Sequence, residues 1–162
     1  MLFRSTACQA FGDLVRAQDL FEKARKIYES REETDPELMG GLYNNMALNC
    51  TALGRYDEAG ELYGKAMRIM AGVKGGRLEM AITCLNQADL LEAKEGMEAA
   101  ETRIFDLLDR ALELLEDPDA PKDGYYAFVC EKCAPSFSYY GYFAAAQELE
   151  QAAEEIYRKN GW

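Results

Sequence analysis

The thiols of Cys130 and Cys133 are the side chains of this sequence whose spacing most resembles a reactive site. Cysteines three positions apart share one face of a helix, so the pair is half of a zinc site, a redox pair or ordinary core packing. The sequence offers no second pair and no histidine to complete a zinc site. A redox pair places its first cysteine at a helix N-terminus, whereas the apolar pattern puts this pair in mid-helix. We therefore interpret both as core residues and predict no metal.

Other catalytic groups are equally sparse. Histidine is the commonest general base, and the sequence contains none. The glycine-rich segment 72–76 lacks the Lys-Ser or Lys-Thr pair and the preceding strand of a phosphate-binding loop, so we interpret it as a connection. Catalysis by carboxylates alone is the enzymatic alternative that remains. We predict that the chain is not an enzyme and uses no cofactor.

The charge of the chain limits its partners. With 29 acidic and 18 basic residues, the formal net charge is −11. A field of this sign repels phosphate backbones and anionic lipids, so we expect neither nucleic acid nor a membrane as partner. No apolar run approaches the roughly 20 residues that span a bilayer, and the first residues lack a signal-peptide layout. The five cysteines are scattered, unlike a disulfide framework. We expect a soluble, cytoplasmic protein with reduced thiols.

An internal repeat defines the elements that position these residues. Glycines recur at intervals of 42, 42 and 45 residues, and each precedes a helix-like apolar pattern. Within that pattern a leucine column and an alanine column recur at intervals of 42, 45 and 42 residues. A fixed period of this length indicates stacked structural repeats. The three columns are Gly12, Gly54, Gly96 and Gly141; Leu20, Leu62, Leu107 and Leu149; and Ala24, Ala66, Ala111 and Ala153.

The repeat predicts an all-α chain in which about four helical hairpins stack into a superhelix, an α-α solenoid. Helix breakers fall between the units, at Asp35-Pro36, at Gly75-Gly76 and in segment 117–121. We predict one domain with repeats at about 1–33, 36–73, 76–117 and 121–160. The predicted helix pairs are 1–11 with 14–30, 37–53 with 56–71, 76–94 with 98–116, and 122–139 with 142–159.

The second unit carries a specific set of small and aromatic residues: Ala47, Gly54, Tyr56, Ala59, Tyr63 and Ala66. On these positions it resembles the tetratricopeptide repeat family. The usual repeat has about 34 residues. The 42-residue spacing and the strings Asn-Asn-Met-Ala and Leu-Asn-Gln-Ala are similar to the kinesin light chain type. The fourth unit departs from the pattern, with Glu150 at an aromatic position and Pro135 inside a helix that it is expected to kink.

This resemblance implies a concave groove lined by the first helix of each unit. Family members use an asparagine amide at one groove position to hydrogen-bond a bound peptide's backbone, and Asn45 and Asn86 occupy that position here. The alternative is that these amides satisfy polar groups between helices. The other groove positions that the resemblance assigns are Asn44, Leu48, Thr51, Ile82, Leu85, Asp89, Glu92, Phe128, Glu131, Pro135 and Ser138.

The same resemblance implies a scaffold or adaptor that binds a peptide or a partner helix in the groove. Some family members hold an acidic C-terminal tail through several basic side chains, but here only Lys132 comes near such a position. We therefore expect a partner segment that is apolar or basic. A peptide-sensing module of a larger signalling or transcription regulator is an alternative function.

Aromatic residues concentrate in the fourth unit and suggest a second alternative, a homo-oligomeric structural element. Helical spacing cannot bury all of them, so we expect some to be exposed. The abrupt start of the first unit, whose first helix has no capping residue, predicts a truncated chain or a longer parent protein. The aromatic residues are Tyr125, Tyr126, Phe128, Phe137, Tyr139, Tyr140, Tyr142, Phe143 and Trp162.

Overall fold

The computed structural model describes the backbone of residues 2–161 and the side chains of residues 10–161. Within that range the chain forms seven α-helices and no strand, as the repeat predicts. Trp162, one of the aromatic residues singled out above, lies outside the described range. The helices are α1 Leu2–Glu29, α2 Pro36–Ala52, α3 Tyr56–Ala71, α4 Arg77–Glu95, α5 Met97–Leu115, α6 Gly124–Tyr139 and α7 Phe143–Lys159.

Three helical hairpins form the body of the fold: α2 packs on α3, α4 on α5, and α6 on α7. Each hairpin turns at a glycine of the repeat column. Gly54, Gly96 and Gly141 have φ angles of 77°, 83° and 87°, in the left-handed region where a side chain would be strained. The glycine column therefore marks the hairpin turns of units two, three and four, as predicted.

The first unit is not a hairpin. The predicted helices 1–11 and 14–30 are wrong, because α1 runs through Gly12 without a break. The φ angle of Gly12 is not positive, and a Cβ atom built there would have no neighbour within 4 Å. A glycine inside a helix costs only about 1 kcal/mol relative to alanine, which its helix-forming neighbours offset. The described fold is therefore one long helix followed by three hairpins.

Helix α1 packs on α2 in the place where a second helix of a preceding hairpin would lie. The side-chain amide of Asn49 on α2 donates to the Leu14 carbonyl at 3.0 Å and to the Gln18 side chain at 2.9 Å. Leu20 is 64% exposed, whereas Leu62 of the same column is 2% exposed. Within the described residues, no first helix of the same unit packs against Leu20, so the leucine column has no core role in α1.

The boundaries of the helices follow from local chemistry. Asp35 accepts a hydrogen bond from the Glu37 N–H at 2.9 Å and Pro36 opens α2, a combination favoured at helix starts. Asp123 caps α6 in the same way, by accepting from the Tyr126 N–H at 3.0 Å. Helix α6 continues through Pro135 to Tyr139 as one helix.

Small residues at recurring positions let neighbouring helices approach. In the first helices of the hairpins, Ala47, Ala88 and Ala134 are essentially inaccessible to solvent. One apolar cluster contains residues of α4, α5, α6 and α7. A second contains residues of α2 and α3, and side chains of α1 pack against it. Stacking of this kind builds a continuous core that no single hairpin supplies. Within residues 2–161, no helix combines the length and apolar composition that crossing a bilayer requires.

Candidate functional site

The first helices of the three hairpins lie side by side, with α4 in contact with α2 on one side and α6 on the other. We call their shared solvent-facing surface the first-helix face. At the junction of α2 and α4, the Thr83 hydroxyl donates to Asn44 Oδ1 at 3.2 Å. The Asn86 amide donates to the same oxygen at 3.3 Å. These bonds satisfy a buried amide and fix the spacing of the two helices.

The junction of α4 and α6 is built from tyrosines and carboxylates. The hydroxyl of Tyr140 donates to Asp89 Oδ1 at 2.8 Å and to Glu92 Oε2 at 3.0 Å. Tyr139 donates to Glu92 Oε1 at 2.8 Å, and Tyr125 donates to Glu79. Two phenols at one end of α6 and a third at its other end therefore bind acidic side chains of α4.

Desolvation raises the pKa values of Asp89 and Tyr140 at this junction. Asp89 as a residue is exposed, but its carboxyl group accepts a hydrogen bond from the buried Tyr140. Desolvation of this carboxyl group raises its pKa; the Tyr140 hydrogen bond acts in the opposite direction, and the charge of Glu92 adds to the increase. Burial, followed by hydrogen bonding to Asp89, raises the pKa of Tyr140 well above the usual range of a phenol. The phenols therefore stay protonated and act as donors at physiological pH.

Large apolar side chains are exposed on the first-helix face. Leu48 on α2 and Phe128 and Tyr139 on α6 are 39%, 50% and 68% exposed. The ring of Phe128 stacks on Tyr125 with 6.4 Å between ring centroids. The Lys132 ammonium lies 5.8 Å from the Phe128 ring centroid, within cation–π distance. The expectation that some aromatic residues of the fourth unit are exposed is confirmed.

The predicted groove residues divide by burial. Asn45, Leu48, Asp89, Phe128, Glu131 and Lys132 are exposed, as are Pro135 and Ser138, whereas Thr51, Asn86 and Glu92 are half-buried. Asn44, Ile82 and Leu85 are buried, and for them the prediction of a groove-lining position is corrected. The reason is the close approach of neighbouring first helices, which places these positions between helices instead of on the surface. Their role is packing and, for Asn44, hydrogen bonding across the junction.

The two asparagines expected to contact a ligand differ. The side-chain amide of Asn86 donates a hydrogen bond to Asn44, so it satisfies a polar group between helices, as the alternative interpretation expects. Asn45 is exposed and lines a groove of about 470 Å³ between α1 and α2, together with Leu20 and Leu38. Glu131 accepts a hydrogen bond from the Tyr157 hydroxyl of α7 at 3.0 Å.

Sequence reasoning missed a pocket of about 500 Å³ where the first helices begin. Its lining comes from α2, the end of α3, the connection 72–76, α4 and the start of α6, so no single repeat contains it. A weak signal was present: Glu37, Glu79 and Asp123 each stand at or just before the first turn of a first helix. This recurring acidic position follows from helix capping and gave no reason to expect a pocket.

The Cys130 and Cys133 pair lies in the core. The two residues are 0% and 1% exposed, and burial raises the pKa of Cys133 to about 12. The described cysteines, Cys50, Cys84, Cys130 and Cys133, are all free and buried. A buried thiol with a raised pKa is a poor nucleophile, which agrees with the packing interpretation.

The arrangement of helices defines a class: the chain is a tetratricopeptide-like helical repeat. Among solved structures it is similar to BtubC (BKLC) from P. vanneervenii, with a TM-score of 0.58 and 24% sequence identity. The match covers 93% of this chain and 58% of the BtubC chain, so this chain spans a little over half the length of that neighbour. Similarity at this identity defines the fold alone. The sequence matches no protein-family profile and no curated protein.

Proposed function

We propose that this chain is a protein-interaction module that binds a peptide or a partner helix on the first-helix face, and that it performs no catalysis. The observation that carries the proposal is the set of exposed apolar side chains on that face, Leu48, Phe128 and Tyr139. Exposed apolar residues grouped on one face are typical of interaction surfaces, and aromatic residues are frequent anchors. The tetratricopeptide-like fold supports the proposal, since stacked hairpins of this kind present extended binding surfaces.

Charge favours an apolar or basic partner segment. The carboxylates of Glu79, Asp89 and Glu92 lie along α4, in the middle of the face. The chain as a whole has a formal charge of −11, which attracts cationic segments and repels acidic ones. The 42-residue spacing supports a relationship to the kinesin light chain type of repeat. The buried free thiols support a cytoplasmic location.

Asn45 is the residue that we assign to the backbone of a bound segment. It is exposed beside Leu48 on α2, and its amide supplies both a donor and an acceptor. Asn86 already donates to Asn44 across the junction of α2 and α4, so its replacement affects packing as well as binding. Phe128 supplies the apolar contact at the other edge of the face.

A matched pair of aromatic substitutions tests this proposal. Peptides selected from a random displayed library on the immobilised chain are titrated against Phe128→Ala and Phe143→Ala. Phe143 is 69% exposed but opens α7, a second helix outside the first-helix face. Loss of an anchoring aromatic weakens binding about 10-fold, so we expect that loss for Phe128→Ala and less than about twofold for Phe143→Ala.

Asn45→Ala provides a second measurement on the same peptides, with an expected loss of roughly 3- to 10-fold from one missing pair of hydrogen bonds. Circular dichroism of each variant verifies that the helices remain. The proposal is wrong if the selected peptides bind Phe128→Ala and Asn45→Ala as tightly as the unmodified chain. It is also wrong if the library yields no peptide whose binding depends on the first-helix face.

A further inference from the structure

The pocket of about 500 Å³ has apolar walls. They are formed by Leu38 at the start of α2, Met70 at the end of α3, Val73 in the connection and Leu78 at the start of α4. Met70 and Leu78 are buried, whereas Leu38 is 54% exposed. Tyr125 of α6 completes the lining. A long side chain entering this pocket would therefore contact aliphatic groups along most of its length.

The glycines of the connection between α3 and α4 fix the shape of this wall. Gly75 has a φ angle of 84°, and a Cβ atom at Gly76 would lie 2.1 Å from the Met70 carbonyl oxygen. Neither position accommodates a side chain without a shift of the backbone. The connection that carries Val73 and Lys74 is therefore constrained to this compact conformation.

The rim of the pocket is acidic. Glu37, Glu79 and Asp123 line it, against one basic side chain, Lys74. Tyr125 donates to Glu79 and the Tyr126 N–H donates to Asp123, but both partners are neutral. In the described part of the chain, no ion pair includes any of the three carboxylates. Among the charged side chains that line the pocket, three are acidic and one is basic, so the rim carries a net negative charge.

We infer that this pocket binds the side chain of an arginine flanked by apolar residues in the partner segment. The inference rests on the proposed function and names the chemistry of its ligand. The aliphatic stem of an arginine fits against Leu38, Met70 and Val73, and its guanidinium reaches the carboxylates of the rim. An acidic side chain is repelled there, and a purely apolar one leaves the carboxylates partly desolvated without a partner.

The test uses acetyl-Leu-Arg-Leu-amide and the same peptide with citrulline in place of arginine, which keeps the shape and removes the charge. Both are titrated into the ¹⁵N-labelled chain. We expect the arginine peptide to shift backbone amide signals of residues 37–41 and 73–79. We expect the citrulline peptide to bind about 10-fold more weakly, because charge-assisted hydrogen bonds are lost.

Glu79→Gln and Glu37→Gln each remove one rim charge, and Glu154→Gln removes an exposed charge of α7 as the matched control. We expect roughly 3- to 10-fold weaker binding for each rim variant and no change for the control. Equal affinity for the two peptides, or shifts confined to other residues, overturns the inference. The two proposals fail separately. Selected peptides that need Phe128 but ignore Glu37→Gln contradict only the inference of an arginine-binding pocket, and the reverse pattern contradicts only the larger face.

Discussion

The phenol of Tyr140, the residue that follows α6, and the carboxylate of Asp89 on α4, 51 positions apart in sequence, are joined by a 2.8 Å hydrogen bond. The same hydroxyl lies 3.0 Å from Glu92, so one donor is shared by two acids. Tyr140 is 8% exposed, which places the bond at the margin of the core. This contact is a main polar link between the second and third hairpins of the described stack.

Replacing Tyr140 with phenylalanine removes that donor and leaves the two carboxylates facing each other. We expect the free energy of unfolding to fall by about 1–2 kcal/mol, since hydrogen bonds to charged groups contribute this much. Urea unfolding followed by circular dichroism measures the change. Tyr139→Phe is the control, because Tyr139 is 68% exposed and its bond to Glu92 competes with water. An equal loss in both variants would contradict this account.

Asp89→Asn tests the electrostatic part of the same contact. Because desolvation raises the folded-state pKa of Asp89, the folded chain binds its proton more tightly than the unfolded chain. Stability therefore falls as the pH rises from the ordinary aspartate pKa through the raised folded value. We expect Asp89→Asn to be more stable than the unmodified chain at pH 7, and the difference to vanish at acidic pH.

Urea unfolding of Asp89→Asn at a series of pH values down to the acid range measures this effect. Asp19→Asn, an exposed change of the same type on α1, serves as the control for the loss of one negative charge. A stability difference for Asp89→Asn that grows as the pH falls would have the wrong sign and would exclude the desolvation argument.

Gly12 and Gly54 belong to one column of the repeat but are predicted to respond in opposite ways to alanine. Gly12 lies inside α1 with open space around it, so Gly12→Ala should raise the free energy of unfolding by about 0.5–1 kcal/mol. Gly54 has a φ angle of 77°, so Gly54→Ala should lower it by about 1–2 kcal/mol. Thermal and urea unfolding of the two variants measure both signs. Destabilisation by Gly12→Ala would indicate a turn in α1.

The buried thiols should resist alkylation in the folded chain. Burial raises the pKa of Cys84 to about 11 and that of Cys133 to about 12, so the reactive thiolate is scarce at pH 8. After iodoacetamide treatment, mass spectrometry of proteolytic peptides should show Cys50, Cys84, Cys130 and Cys133 unmodified. The same treatment in urea should modify all four. Rapid labelling of Cys130 or Cys133 in the folded chain would revive the redox interpretation.

The three hairpins could be predicted from sequence because their turns have a local cause. Gly54, Gly96 and Gly141 adopt a backbone conformation that other residues rarely adopt, so the recurrence of glycine at these positions indicates the turns themselves. Gly12 shows the limit of this reasoning. A glycine is also tolerated inside a helix, and the sequence column does not distinguish the two conformations. The structure distinguishes them: α1 continues through Gly12 as one helix, and a Cβ atom built there has no neighbour within 4 Å.

The exposure of the candidate groove residues could be predicted from sequence only in part. Exposed positions such as Asn45, Leu48 and Phe128 lie on the outer side of the first helices, where helical periodicity puts them. Ile82 and Leu85 are buried because α4 lies close to the neighbouring first helices. The distance between two helices cannot be predicted from the periodic pattern of one of them. The pocket where the first helices begin was missed for a related reason, since segments of separate repeats and a connection form it together.

The junctions between neighbouring hairpins use different polar chemistry. An amide and a hydroxyl meet between α2 and α4, whereas phenols and carboxylates meet between α4 and α6. A duplicated or transposed hairpin would therefore set Asp89 against a helix that lacks a phenol, or Asn44 against one that lacks a donor. The modules of this array are consequently not interchangeable. The residues at each junction therefore encode the order of the hairpins. In a chain with reordered hairpins, donors and acceptors at the junctions would lack their partners.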